Sequence, residues 1–296
     1  MQHPSRSDTV DVFRAARSIL AESIWWDASG AIEWCDITSG LLRRSPIDAP
    51  VDGSADRVLE FPPPVSAFQP TADGGYVLAL GDTVAVCDGD GAGLRTIATV
   101  SHRHPGIRFN EAKCDPFGRF VVGSMDVTTG DPDGAIYAIE PDGRCTTLIG
   151  GIGVANGFEW SDDGDRMYFT DTAASTIFVA EYDGRELRGV EPFVVGMASD
   201  GLARDADGGF WNGINDIGVV VRWDADGVKT DEVDVPAGHV TSVAFGGPDL
   251  STLFIATARE KLTEAELEAQ PLTGSIFSLQ TGTRGFPVNR FGAESH

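Results

Sequence analysis

The stretch 115–124, DPFGRFVVGS, decides the fold: a polar turn with Gly118 at its fourth position runs straight into a short apolar segment. Glycine supplies the positive φ that such a turn needs, and the β-branched and aromatic residues behind it suit a strand, so the phrase reads as half a hairpin. Variants of it recur as DASGAIEWCD around Gly30, TADGGYVLAL around Gly74, SDDGDRMYFT around Gly164, DADGGFWNGI around Gly208 and GPDLSTLFIA around Ser251. The successive separations are 44, 44, 46, 44 and 43 residues. A second turn follows in each copy, at Ser39-Gly40, Asp90-Gly91, Asp142-Gly143, Asp183-Gly184, Asp226-Gly227 and Thr281-Gly282. Two hairpin turns per repeat mean four strands, and a period in the forties is that of a propeller blade. The expectation is an all-β, six-bladed β-propeller, one domain over residues 1–296.

Work outward from the repeat and little interrupts it. Residues 8–14, DTVDVFR, form an isolated strand-like segment ahead of the first full copy. Closing the ring requires one terminus to complete the blade begun by the other, so Val10 to Phe13 should pair in the last blade, beside a strand near Val288 to Phe291. The last copy carries extra length, REKLTEAELEAQPL, in which Thr263 is placed to cap a short helix over 263–268 that Pro271 ends. No apolar run reaches the ~18 residues of a membrane span. The N-terminal stretch lacks the apolar segment of a secretory signal, so a cytoplasmic location is expected. Cys35, Cys87, Cys114 and Cys145 stand singly, and read as buried free thiols.

The chain has 22 Lys+Arg against 45 Asp+Glu, a net charge of −23. That balance argues against nucleic acid or an anionic membrane as partner. A small-molecule substrate and a monomeric or weakly self-associating protein are expected.

In a propeller the residues just ahead of each innermost strand converge on one mouth, however far apart in sequence. Those positions carry oxygen donors: Glu22 in LAESIWW, Asn110 and Glu111 in RFNEAKCDP, Asn156 in VANGFEW, Asp200 in ASDGLARD. Converging carboxylates repel one another unless a cation joins them, and oxygen donors without His or Cys suit Ca²⁺, Mg²⁺ or Mn²⁺. Asn156-Gly157 and Asp200-Gly201 read equally as plain turns. Glu22 lies in an apolar stretch, 19–26, where a lone carboxylate is costly.

At these same residues the chain resembles the regucalcin/gluconolactonase family of calcium-binding sugar lactonases, over nearly its whole length, from Glu22 to Pro287. The resemblance is carried by Glu22 with Trp26, by Arg108-Phe109-Asn110 followed by Asp115 to Arg119, and by Gly123-Ser124-Met125. It continues in Asn156-Gly157 ahead of Trp160 to Gly164, in Asp171, in Asp200-Gly201, in Thr241-Ser242 with Phe245 to Leu250, in Ala256 to Arg259 and in Pro271 to Gly274. It implies a six-bladed propeller in which Glu22, Asn156 and Asp200 hold one divalent cation, Ca²⁺ first, with Zn, Mn, Mg or Fe as alternatives. It further implies that Arg108 and Asn110, with Glu111 beside them, bind the hydroxyls and ring oxygen of a lactone. Three departures accompany it: Ala21-Glu22-Ser23-Ile24 for Gly-Glu-Gly-Pro, Glu111 for Asp, and Ser199 for the Pro before Asp200.

A cation on the lactone carbonyl would stabilise the charge that develops as water adds. Asp200 is the first choice as the base that takes the water's proton, Glu111 the second. No GxSxG elbow is present, and His102 and His104 read as loop-surface residues. The expected activity is metal-dependent hydrolysis of a sugar lactone to the aldonic acid. The alternatives are hydrolysis of a non-sugar lactone or phosphotriester, or a calcium-binding propeller without catalysis.

Overall fold

In a computed structural model that describes residues 9–293, every one of the six copies becomes a four-stranded antiparallel sheet. Blade 1 is β2 (Ala21–Asp27), β3 (Ala31–Asp36), β4 (Leu41–Pro46) and β5 (Arg57–Glu60). Blade 2 is β6 (Val65–Pro70), β7 (Tyr76–Leu80), β8 (Thr83–Cys87) and β9 (Arg95–Thr99). Blade 3 is β10 (Ile107–Cys114), β11 (Phe120–Asp126), β12 (Gly134–Ile139) and β13 (Cys145–Ile152). Blade 4 is β14 (Ala155–Trp160), β15 (Arg166–Asp171), β16 (Thr176–Tyr182) and β17 (Leu187–Val195). Blade 5 is β18 (Ser199–Arg204), β19 (Phe210–Ile214), β20 (Val219–Trp223) and β21 (Lys229–Asp234). Blade 6 joins β22 (Val240–Gly246), β23 (Thr252–Thr257) and β24 (Ile276–Gln280) to the first strand of the chain, β1 (Asp11–Arg14). The fold is an all-β, six-bladed β-propeller.

The turn chemistry of the repeat is visible atom by atom. Asp115 Oδ1 accepts from the Phe117 and Arg119 N–H groups at 2.9 Å each, while Gly118 takes φ +76°. Asp205 does the same for Asp207 and Gly209 at 3.0 and 2.9 Å. The sixth copy has no glycine at this place. Its pivot is Leu250 rather than Ser251, and Leu250 itself adopts φ +58°, a conformation that costs a side-chain-bearing residue on the order of 1 kcal/mol. The packing of Leu250 against the cluster of Trp26, Trp34 and Phe254 offsets that strain.

Two compact units result, each with its own cores. One holds the chain up to Val58 together with Asp200–Val288, the other Leu59–Ser199 together with the chain from Asn289. In the second unit, Phe109, Ala112, Phe120 and Ile139 of blade 3 pack against Val77 and Val84 of blade 2, while Ile136 and Val121 pack against Phe158 and Phe169 of blade 4. In the first, Trp211 and Val220 meet Phe245 and Ile255, and Trp34 and Ile32 meet Phe254 and Ile276. Each fully buried aromatic contributes about 2–3 kcal/mol of burial free energy.

Three expectations change. β1 does pair with β24, Asp11 opposite Ser278, but 288–291 is no strand beside it. Phe291 bridges to Thr71 instead, its N–H donating to Pro70 O at 2.9 Å, because the phenyl ring belongs to the core of blades 2 and 3. The Thr281-Gly282 turn therefore leads into this tail, not into a fourth strand. Cys145 is exposed, while Cys35, Cys87 and Cys114 are buried; all four are free. The helix stands as expected, α1 (Glu264–Ala269), with Thr263 and Glu266 forming a reciprocal capping box. No helix among the described residues is long and apolar enough to cross a membrane.

Candidate functional site

Every candidate residue lies on an innermost strand, and Glu22, Asn110, Glu111 and Asn156 stand at a defect in it. The ladder slips at Glu22-Ser23 in β2, at Ser66 in β6, at Asn110-Glu111 in β10, at Asn156-Gly157 in β14 and at Thr241-Ser242 in β22. A bulge inserts one extra residue, sharpens the local twist and re-aims a side chain that would otherwise keep the alternation. Ser23 and Gly157 pay for the slip with φ +52° and +43°. The reading of Asn156-Gly157 and Asp200-Gly201 as turns is overturned: both dipeptides lie inside strands, β14 and β18. Gly201 is glycine because a Cβ there would lie 2.7 Å from the Ser242 Cα, so β22 comes up directly against β18.

A repeated rung joins these bulges between neighbouring blades. Ser66 Oγ donates to Phe109 O at 2.6 Å, Asn110 Nδ2 to Ala155 O at 3.1 Å, and Thr241 Oγ1 to Ala21 O at 2.5 Å. In each case the acceptor is the carbonyl just ahead of the next blade's candidate residue. The bulge side chain of one blade thus sets the backbone that presents the next. Ser66 escaped the reading of the sequence, and Thr241 entered it only through the family resemblance, although both fall upstream of a repeat turn as the other candidates do.

Within the second unit the sequence-named residues form one continuous polar chain. Arg108 Nη1 donates to Asn110 Oδ1 at 2.9 Å and to Phe109 O at 2.7 Å. Asn110 Nδ2 donates to Asn156 Oδ1 at 2.8 Å, Asn156 Nδ2 to Thr172 Oγ1 at 2.9 Å, and Thr172 Oγ1 to Ser199 O at 2.6 Å. Each amide is oriented by the one before it, starting from a guanidinium that can only donate. Asp171 positions the start of β14, its two carboxylate oxygens accepting from Gly153 and Val154 N–H at 3.0 Å each. Glu111 is the second residue of the slip in β10. Its Oε1 accepts from the Ala112 N–H at 2.8 Å, and its charged neighbours are Lys113 and Glu159. Burial pushes its carboxyl up to about 7, Lys113 opposing the shift and Glu159 adding to it.

Arg108 also lines a cavity of about 740 Å³ whose wall is the loop from Thr99 to Ile107, with Pro64 and Asp82 opposite. His102 packs edge-on against Phe109 and Tyr137 in this wall, and burial lowers its pKa. His104 accepts the Gly106 N–H at its Nδ1, 3.1 Å, which puts its proton on Nε2, 3.3 Å from Asp126 Oδ2. Arg103 pairs with Asp133. The two histidines, set aside as surface residues, are half-buried parts of a cavity wall.

In the first unit, Glu22 and Asp200 are both buried. Asp36 holds the entry to β2 through the Ile19 and Leu20 N–H groups, at 2.9 and 3.1 Å, and the Cys35 thiol donates to Glu22 O at 3.4 Å. Asp200 Oδ2 accepts from Asn215 Nδ2 at 2.8 Å. Among the described residues no group of three His, Cys, Asp or Glu side chains is placed to hold a metal ion. The donor chemistry of the set named from sequence suits a hard cation all the same. Two buried carboxylates call for positive charge, and Asn156 Oδ1 keeps a second lone pair after serving Asn110.

Residues 20–259 match the family described as SMP-30/Gluconolactonase/LRE-like region. The chain is 33% identical over 281 residues to the pentonolactonase XacC of Haloferax volcanii, covering 90% of this chain and 92% of that one. It is 30% identical over 275 residues to the 6-deoxy-6-sulfogluconolactonase of Pseudomonas putida, covering 90% and 93%. Among solved structures, a calcium-binding regucalcin from Agrobacterium tumefaciens superposes with a TM-score of 0.89 at 27% identity, covering 96% of this chain and 98% of that one.

Proposed function

Since the chain belongs to the SMP-30/gluconolactonase/LRE-like family, we propose that it is a divalent-cation-dependent hydrolase that opens a sugar lactone to its aldonic acid. The observation that carries this reading is the chain of oriented donors and acceptors from Arg108 through Asn110 and Asn156, its first member set in the wall of a cavity of about 740 Å³. That volume lies within the ordinary range of small-ligand sites, roughly 300–1,000 Å³. A polyhydroxylated ring needs donors and acceptors held in fixed directions; a guanidinium braced by Asn110 Oδ1 supplies the donors, and the amide oxygen itself keeps a lone pair that can accept. The lactonase relatives named above support the substrate class.

The cation's ligands are, on the family resemblance, Glu22, Asn156 and Asp200, with calcium favoured among the divalent ions. Bound there, it would polarise the ester carbonyl. The protein's own part is to orient and to move a proton. Arg108 and Asn110 hold the ring; Asp200, fixed by Asn215, takes the proton of the attacking water and returns it to the ring oxygen as the ester opens. Glu111, with a carboxyl near neutrality, is the second candidate base. A panel of aldonolactones given to metal-stripped protein, with each divalent ion restored in turn, tests the reading. Ring opening that depends on the ion supports it. Cation binding without turnover of any lactone would replace it with that of a calcium-binding propeller.

A further inference from the structure

The carboxylate of Asp200 sits at the end of a short relay within its own unit. Asn215 Nδ2 donates to Asp200 Oδ2 at 2.8 Å, and Asn215 Oδ1 lies 3.0 Å from His239 Nδ1. A carboxamide has one donating and one accepting end. With the donor end against the carboxylate, Oδ1 can only accept, so His239 carries its proton on Nδ1. Reversing the amide would press an oxygen against the carboxylate and break both bonds. Asn215 follows β19, and His239 immediately precedes β22, so two elements converge on a residue held by a third, β18.

The far end of the relay is tied to the helical insertion. The His239 carbonyl accepts the Ala258 N–H at 3.0 Å, where the insertion begins. A Cβ on Gly238 would meet Gln270 Oε1 at 2.8 Å, so the end of α1 rests on the residue next to His239. Glu266 of α1, which the Thr263 hydroxyl and N–H hold below the usual carboxylate range, also feels the imidazole. The insertion therefore packs where the relay starts.

We propose that Asn215 and His239 are positioning residues for Asp200, locking its carboxylate in one rotation with Oδ2 assigned to the amide, and that the helical insertion braces His239 in that role. The consequence for catalysis rests on the role of Asp200 proposed above. Asn215→Leu removes the donor with little change of size, and kcat should fall about 10- to 100-fold while KM for the best aldonolactone changes by less than about threefold. His239→Leu should act in the same direction by about 3- to 10-fold, and His239→Asn, which keeps a donor in place of Nδ1, should return kcat to within about twofold of wild type. Divalent-cation affinity measured by calorimetry should weaken in Asn215→Leu and in His239→Leu, and stay near the wild-type value in His239→Asn. Unchanged kcat in both leucine variants, or no difference between His239→Leu and His239→Asn, would overturn the proposal. The ¹⁵N shifts of the His239 imidazole read the relay with neither cation nor substrate present. The Nδ1–H tautomer is expected in wild type and its loss in Asn215→Leu; an Nε2–H tautomer in wild type would overturn the relay itself. The Nδ1–H tautomer in a wild-type protein that opens no lactone would sink the hydrolase reading and leave the relay standing.

Discussion

In blade 4 the chain enters β14 through Gly153 and Val154, whose N–H groups both rest on Asp171. In blade 3 it enters β10 through the loop 101–106, and the carboxylate at the matching strand end, Asp126, faces the His104 imidazole and the Thr128 and Thr129 hydroxyls instead. Both innermost strands then slip at an asparagine. Blade 4 fixes its asparagine between Asn110 and Thr172, both neutral side chains. Blade 3 surrounds its own with Arg108, Glu111, Lys113 and a histidine-bearing loop. One blade behaves as scaffold, the other as the responsive side of the site, although both descend from one repeat.

The largest effect that separates them should come from Asp171→Ala. It strands the buried Gly153 N–H and the half-buried Val154 N–H at once and should cost about 3 kcal/mol in urea unfolding. Asp126→Ala should lower the melting temperature less, because its partners lie in a loop that water reaches. Equal losses would erase the distinction. Next in size, Arg108→Ala should reduce kcat/KM for a lactone about 10- to 100-fold while leaving unfolding nearly unchanged. A large loss of stability with unaltered kinetics would make Arg108 part of the scaffold.

Glu111 makes blade 3 sensitive to pH. Its carboxyl stands at about 7 in the folded protein, against an ordinary 4.5. Between those values the folded state holds a proton that the unfolded chain has lost, so stability falls as pH rises through the window and levels off above it. Glu111→Gln should abolish that fall, matching wild type near pH 4 and exceeding it by on the order of 1 kcal/mol above pH 7. A pH series of denaturant curves checks the sign. The smallest effect belongs to His104→Gln, which loosens the cavity wall and should raise KM about two- to threefold without touching kcat.

Much of this plan is legible in the sequence, and the rest fails for identifiable reasons. The turns are legible because a positive φ selects glycine, as at Gly118 and Gly208, and where Leu250 takes the glycine's place the reading slips by one residue. The bulges are not, because the inserted residue can be Ser23, Glu111 or Gly157 and no side chain is required of it. Asp171 stands out in the sequence, yet its work of holding two amides depends on a strand end that folding brings back to Gly153. Val288 to Phe291 reads as a strand only because closing the ring asks for one near the C-terminus, whereas Phe291 needs only a place in a core. Asn215 and His239 carry no signal, since a lone amide and a lone imidazole announce no partner.

The pairing of β1 with β24 also sets the order of events when the chain is made. Asp11 leaves the ribosome early and meets Ser278 only after nearly all of the chain has followed. Closing a loop of that length costs roughly 5 kcal/mol of chain entropy, and contacts so distant in sequence slow folding. Until the closure occurs, β24 shows a bare edge with unpaired backbone groups, a template on which a strand from a neighbouring nascent chain can add. A protein shortened past Arg14 would keep that edge for its whole life. Its first symptom should be self-association through blade 6, before any loss of chemistry.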